Sequence, residues 1–114
     1  MEASASWYAT LLPALGFSKT SRGNWGTADG FFLQVLQADA GTADYGRRAP
    51  GLNHVGFGAP DEETVRRIQA VMRAAGFEAP EIQDLGGARA LFLKDPDGIR
   101  FEVTYYPPGV SVVD

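Results

Sequence analysis

The apolar positions of this chain follow two different periods. In "APDEETVRRIQAVMRAAGF", Val65, Ile68, Met72 and Ala75 recur at helical spacing, and Asp61 stands where a cap would accept the first free amides. Glu62 and Glu63 fall in the first turn and Gly76 ends the run, so a helix is predicted between Asp61 and Gly76. The opening "MEASASWYATLLPALGF" places Trp7, Leu11, Ala14 and Leu15 on one side ahead of Gly16, while Pro13 inside its last turn blurs where that helix ends. Strand-like alternation marks "FFLQVLQA", "LNHVGFGA", "ARALFLK" and "IRFEVTYY". Residues 38–51, "ADAGTADYGRRAPG", are rich in turn formers and read as a connector that divides the chain.

The two parts repeat one another. "ALGF" (14–17) matches "AAGF" (74–77), and "DGFFLQV" (29–35) matches "DGIRFEV" (97–103), with Gly30 over Gly98 and Gln34 over Glu102. "HVGFGAPD" precedes the second helix, but no equivalent strand precedes the first. Setting Asp114 against Asp61 lays the tail "GVSVVD" over "GFGAPD", and reading on from Asp114 into Met1 gives a strand, a cap and a helix in order. A circular permutation is the expectation: residues 109–113 form a strand beside "FFLQVLQ", reached through an extended Pro107-Pro108-Gly109 or donated to a second copy. The alternative is a start codon lying upstream, with the tail's match a coincidence.

Composition narrows the partners. The 114 residues are 45% hydrophobic with both charge signs dispersed, which suits one compact domain. A net charge of −4, with no basic cluster beyond Arg47-Arg48 and Arg66-Arg67, argues against nucleic acid or an anionic membrane and leaves a small molecule as the natural partner. The absence of cysteine excludes disulfides, thiolate metal sites and thiol catalysis. Neither a signal peptide nor an apolar run of about 18 residues is present, so a cytoplasmic location is the default expectation.

A duplicated β-α-β-β-β unit carrying "WYATLLPALGF", "LNHVGFGAPD" and "FLKDPDGIRFEV" resembles the vicinal oxygen chelate superfamily, which includes glyoxalase I, bleomycin-resistance and fosfomycin-resistance proteins and extradiol dioxygenases. The resemblance implies an α+β fold in which two such units form an open, eight-stranded, barrel-like sheet around a cavity, with helices outside. Unit one would comprise residues 1–40 plus 109–114 and unit two residues 52–106, in a single domain. It also implies a divalent cation held from the first and last strands of each unit. His54 and Glu102 fill both places in unit two, Gln34 replaces a carboxylate in unit one, and the fourth place falls at Pro107 or Pro108, whose side chains cannot ligate. Imidazole and carboxylate would suit Zn, Ni, Mn or Fe, in a weakened site or in none. Homodimers are expected, as is usual for relatives of this size.

Each candidate has a plainer reading. A lone histidine such as His54 is as often a hydrogen-bonded structural residue as a ligand. Alternation puts Arg100, Glu102 and Thr104 on one face of "RFEVTYY", either a solvated face or a cavity wall, where an Arg100–Glu102 pair would leave no metal. Gln34 shares a face with Phe32 and Leu36, and a buried amide there needs partners. Trp7, Leu11, Ile68 and Met72 read as core; Trp25, Phe32, Phe92, Arg100 and Tyr106 read as ligand-facing. Two functions follow. One is a glyoxalase- or dioxygenase-type enzyme in which a metal activates a bidentate oxygen substrate and Glu102 moves the proton. The other is a non-catalytic protein that sequesters a drug or metabolite by stacking.

Overall fold

Two 13-residue helices from different parts of the chain share one core. In the computed structural model, which describes residues 2–110, α1 spans Glu2–Ala14 and α2 spans Glu62–Ala74. Asp61 caps α2 as the sequence predicts, its side chain accepting from the Thr64 amide at 2.7 Å. That bond and one from the Thr64 hydroxyl hold the Asp61 carboxyl below the ordinary carboxylate range. Pro13 sits in the last turn of α1, which ends in a left-handed Gly16.

Between and after the helices run seven strands among the described residues: β1 (Ser18–Lys19), β2 (Trp25–Gly26), β3 (Phe32–Leu33), β4 (His54–Ala59), β5 (Gln83–Leu85), β6 (Ala88–Lys94) and β7 (Arg100–Tyr105). They form two sheets, one ordered β1-β2-β3 and the other β4-β7-β6-β5, in which β4 runs parallel to β7 and the remaining pairs are antiparallel. The fold is α+β, as expected. In place of a single eight-stranded barrel, the described residues form a three-stranded and a four-stranded sheet that do not close on one another. The sheets correspond, β1-β2-β3 standing to the first as β5-β6-β7 stand to the second. The position that β4 holds beside β7 has no counterpart beside β3 among the described residues. "FFLQVLQA" yields only two residues of strand, paired among the described residues on its β2 side alone.

The expected tail strand meets a correction in its described part. Pro107 to Val110 do not extend; the Val110 amide closes a turn on the Pro107 carbonyl at 3.0 Å, with Gly109 left-handed. Val110 is thereby brought against the β5–β6 hairpin, its Cγ2 only 3.4 Å from where a Cβ on Gly87 would stand. Residues 111–114, on which the rest of that strand and the permuted order depend, lie outside the described residues.

Apolar side chains from both units meet in a single cluster: Trp7, Leu11 and Leu12 of α1, Val65, Ile68 and Met72 of α2, and Leu91, Leu93, Phe101 and Val103 of the four-stranded sheet. Trp7, Tyr8 and Phe101 are arranged edge-to-face, with centroids 4.9 to 5.6 Å apart. Each such pair adds about 1 kcal/mol beyond the area it buries. Helix α1 of the first unit therefore covers the sheet of the second. No helix among the described residues is long and apolar enough to cross a membrane.

Candidate functional site

Because Phe101 and Val103 of β7 face the helices, Arg100 and Glu102 face away from them. Register then decides what stands beside each. Arg100 lies opposite His54 on β4 and Lys94 on β6; Glu102 lies opposite Gly56 and Phe92; Thr104 lies opposite Gly58 and Ala90. Paired residues project to the same side of a pleated sheet, so these are three successive rows on one face. The two glycines keep that face open on the β4 side. A Cβ at Gly56 would stand 3.9 Å from Glu102 Oε2, and one at Gly58 would meet nothing within 4 Å.

Among the described residues, two polar side-chain atoms on this face are buried without a hydrogen-bond partner: Arg100 Nε and Thr104 Oγ1, on either side of Glu102. Buried polar groups are normally paired, so two orphans at positions 100 and 104 of one strand are an exception. The Arg100 guanidinium lies over the Phe92 ring, 5.2 Å from its centroid. It makes no ion pair with Glu102, the pairing weighed from sequence.

The turn before β7 fixes the height of Arg100. In "DPDG", Asp95 Oδ1 accepts the Asp97 and Ile99 amides at 2.9 and 2.8 Å, Gly98 takes a left-handed conformation at φ 90°, and Asp95 Oδ2 accepts the Tyr8 hydroxyl at 2.6 Å. The connector over residues 38–51 is tied to the start of β4. The Tyr45 hydroxyl is within bonding distance of the Leu52 and Asn53 carbonyls, and the Asn53 side-chain amide donates to the Arg47 carbonyl. Asn53 Oδ1 lies 2.8 Å from His54 Nδ1; since that oxygen can only accept, Nδ1 carries the proton and Nε2 is left free.

Two clefts meet at Lys94 and Arg100. One, of about 250 Å³, is walled by Glu78, Pro80, Gln83 and Phe92; the other, of about 470 Å³, by Tyr45, Arg47, Arg48, Asp97 and Gly98.

The sequence candidates fall in three groups. His54, Phe92, Arg100 and Glu102 share the open face. Gln34 is exposed just beyond β3 in the other sheet, not the buried amide expected, and Phe32 on the same side is 74% exposed. Trp25 is a correction: at 9% exposure it belongs to the core, paired through β2 to Leu33, with Lys19 5.6 Å over its ring. Tyr106 is half-buried just past β7 and lines neither cleft at Arg100. Sequence reading missed Tyr45, Arg47, Arg48, Lys94 and the orphaned Thr104. The available signal was the Arg47-Arg48 pair standing in a segment otherwise free of basic residues.

A divalent cation fits this face poorly. Among the described residues, no three His, Asp or Glu side chains are grouped to hold one. One imidazole and one carboxylate are present, and the row that holds the imidazole also holds two cations, Lys94 and Arg100.

Comparison with known proteins agrees on the lineage. The sequence matches the Glyoxalase/Bleomycin resistance protein/Dioxygenase superfamily over residues 1–103. No curated protein sequence matches. Among solved structures, a glyoxylase/bleomycin resistance protein/dioxygenase domain from Frankia sp. EAN1pec is 21% identical with a TM-score of 0.78, covering 96% of this chain and 85% of that one. A glyoxalase/bleomycin resistance protein from Albidiferax ferrireducens T118 is 20% identical at 0.69, covering 94% and 90%. Lactoylglutathione lyase from Agrobacterium tumefaciens is 19% identical at 0.53, covering 91% and 84%. At such identities the structures speak for the fold, while the family match spans most of the sequence: the chain belongs to the Glyoxalase/Bleomycin resistance protein/Dioxygenase superfamily.

Proposed function

We propose that this protein binds a small molecule on the open face of its four-stranded sheet, in the manner of the family's binding members, through its own side chains rather than through a metal. The observation that carries the reading is the pair of orphaned atoms, Arg100 Nε and Thr104 Oγ1, flanking Glu102. Phe92 supplies a flat apolar wall beside them, and a few convergent polar groups on an apolar floor are what a small-molecule site requires. Turnover of the bound molecule is a second reading, favoured by Glu102 and His54 standing on one face in adjacent rows, where a carboxylate and an imidazole can exchange protons with a ligand between them.

The test is chemical-shift mapping of the labelled protein against a library of small metabolites, with elemental analysis of protein purified without chelator. Shifts confined to β7, β6 and the Gly98 turn, and lost in Arg100→Ala, are expected. Stoichiometric transition metal, with ligand binding abolished by its removal, would overturn the reading in favour of a metal-dependent lyase or dioxygenase.

A further inference from the structure

Lys94 and Arg100 are directly opposed across β6 and β7, and like charges in that relationship repel. Neither is ion-paired to a carboxylate among the described residues, and the same holds for Arg47 and Arg48 on the connector. All four line the larger cleft, opposed there only by Asp97. The concentration is unexpected in a chain whose net charge is −4. Elsewhere Arg89 contacts Glu62 and Asp84 at 2.8 and 2.7 Å, Arg66 pairs with Glu62 and Arg73 with Glu81, while Lys19, Arg22 and Arg67 also lack an ion pair among the described residues; what distinguishes the cleft is that four cations converge on it.

The connector is tied to the start of β4 through the Tyr45 side chain and the Arg47 backbone. Tyr45 is anchored through its hydroxyl to the chain at Leu52 and Asn53, and its Cδ2 lies 4.0 Å from where a Cβ on Gly98 would stand, which sets the ring beside the turn. Arg47 is fixed through its carbonyl to Asn53. The second cleft, sharing Lys94 and Arg100, contributes Phe92 and Pro80 as apolar surface, with Glu78 and Gln83 at its side.

From this juxtaposition we infer that the ligand is a small organic anion with a flat body: its acidic group sits in the cleft of Tyr45, Arg47 and Arg48, its planar part lies in the adjoining cleft against Phe92, and Arg100 bridges the two. The inference rests on the proposed small-molecule site and names the class of molecule it takes. Guanidinium groups suit both a carboxylate and a phosphoryl group, since each offers oxygens to the planar fork. Low-dielectric cleft walls focus the positive field at the entrance, so association with an anion is steered despite the acidic whole. Relief of the Lys94–Arg100 repulsion and a partner for Arg100 Nε would come with the bound acid.

Four probes separate charge from shape: benzoate, phenyl phosphate, benzamide and inorganic phosphate, each titrated into labelled protein and followed at the Gly98, Arg100 and Lys94 amides. Benzoate and phenyl phosphate are expected to bind more tightly than either benzamide, which lacks the charge, or inorganic phosphate, which lacks the ring. An Arg47→Ala/Arg48→Ala variant, altered only in the exposed connector, should weaken the charged aromatic probes by about tenfold or more while leaving benzamide and the melting temperature unchanged. Benzamide binding as tightly as benzoate would overturn the anion inference and leave the small-molecule site standing. Silence from all four probes, while a neutral library compound shifts the same amides, would do likewise. Silence from these probes and from the library would remove both.

Discussion

The Tyr8 hydroxyl donates to Asp95 Oδ2 at 2.6 Å, joining two buried residues 87 positions apart. The other oxygen of that carboxylate holds the Asp97 and Ile99 amides, so one side chain both shapes the turn into β7 and fastens helix α1 to it. The fold and the cationic cleft are thus joined at one residue, since Gly98 and Arg100 follow directly from the turn.

Replacing Tyr8 by Phe keeps the ring packing against Trp7 and Phe101 and removes only the hydroxyl. A hydrogen bond to a charged group is lost and an acceptor is left buried, so stability should fall by about 2 kcal/mol. Urea denaturation measures this; a change below about 0.5 kcal/mol would refute the assignment.

The same pair gives a pH signature. Burial, followed by the Asp95 hydrogen bond and charge, raises the Tyr8 phenol above its ordinary value of 10.0. Above about pH 10 the unfolded chain releases this proton while the folded chain keeps it, so the unfolded state binds fewer protons and stability declines with rising pH. Below that pH the contribution is constant. The stability gap between the native protein and Tyr8→Phe should therefore narrow above about pH 10 and be flat below it; a gap of constant size throughout would contradict the raised value.

Thr104→Val should separate stability from binding. Thr104 is 2% exposed and its hydroxyl has no partner among the described residues, so exchanging that hydroxyl for a methyl removes a desolvated polar group and should raise stability by about 1 kcal/mol in ligand-free protein. Binding on the open face should weaken at the same time. A variant that is both less stable and unimpaired in binding would show that Thr104 serves packing alone.

His54→Ala should lower ligand affinity with a stability change within about 0.5 kcal/mol, because the imidazole is exposed and its hydrogen bond among the described residues is to the neighbouring Asn53. Large destabilisation with unchanged affinity would return His54 to a structural role.

We propose a homodimer that covers the β3 edge with a second copy. Phe31, Phe32 and Leu36 are 68%, 74% and 72% exposed along that edge, and two identical edges related by a two-fold axis can pair antiparallel. Light scattering at micromolar concentration should give twice the chain mass, reduced to one by Phe32→Asp. A native monomer would refute it.

What was legible in the sequence was whatever repeated. Helix α2 announced itself through a capped 3.6-residue period, and β6 matched "ARALFLK" along its whole length. The face shared by Arg100, Glu102 and Thr104 followed from alternation alone. Strands β1, β2 and β5 left no such trace, since two or three residues cannot display a period. Trp25 was misplaced for the same reason: an isolated aromatic does not declare which side of its strand is buried. The connector hid Arg47 and Arg48 because turn-forming composition reports local conformation and is silent on what the loop is later folded against.

The covering of the second sheet by the first helix carries a consequence for biosynthesis. Helix α1 leaves the ribosome long before the Phe101 ring and the Asp95 carboxylate that receive Trp7 and Tyr8, some 87 to 94 residues further along the chain. Until β7 is made, the side of α1 that carries Trp7 and Tyr8 lacks its partner in the second sheet, so the two units do not mature independently of one another. The nascent chain must be kept from aggregating until β7 has emerged and helix α1 can close over it.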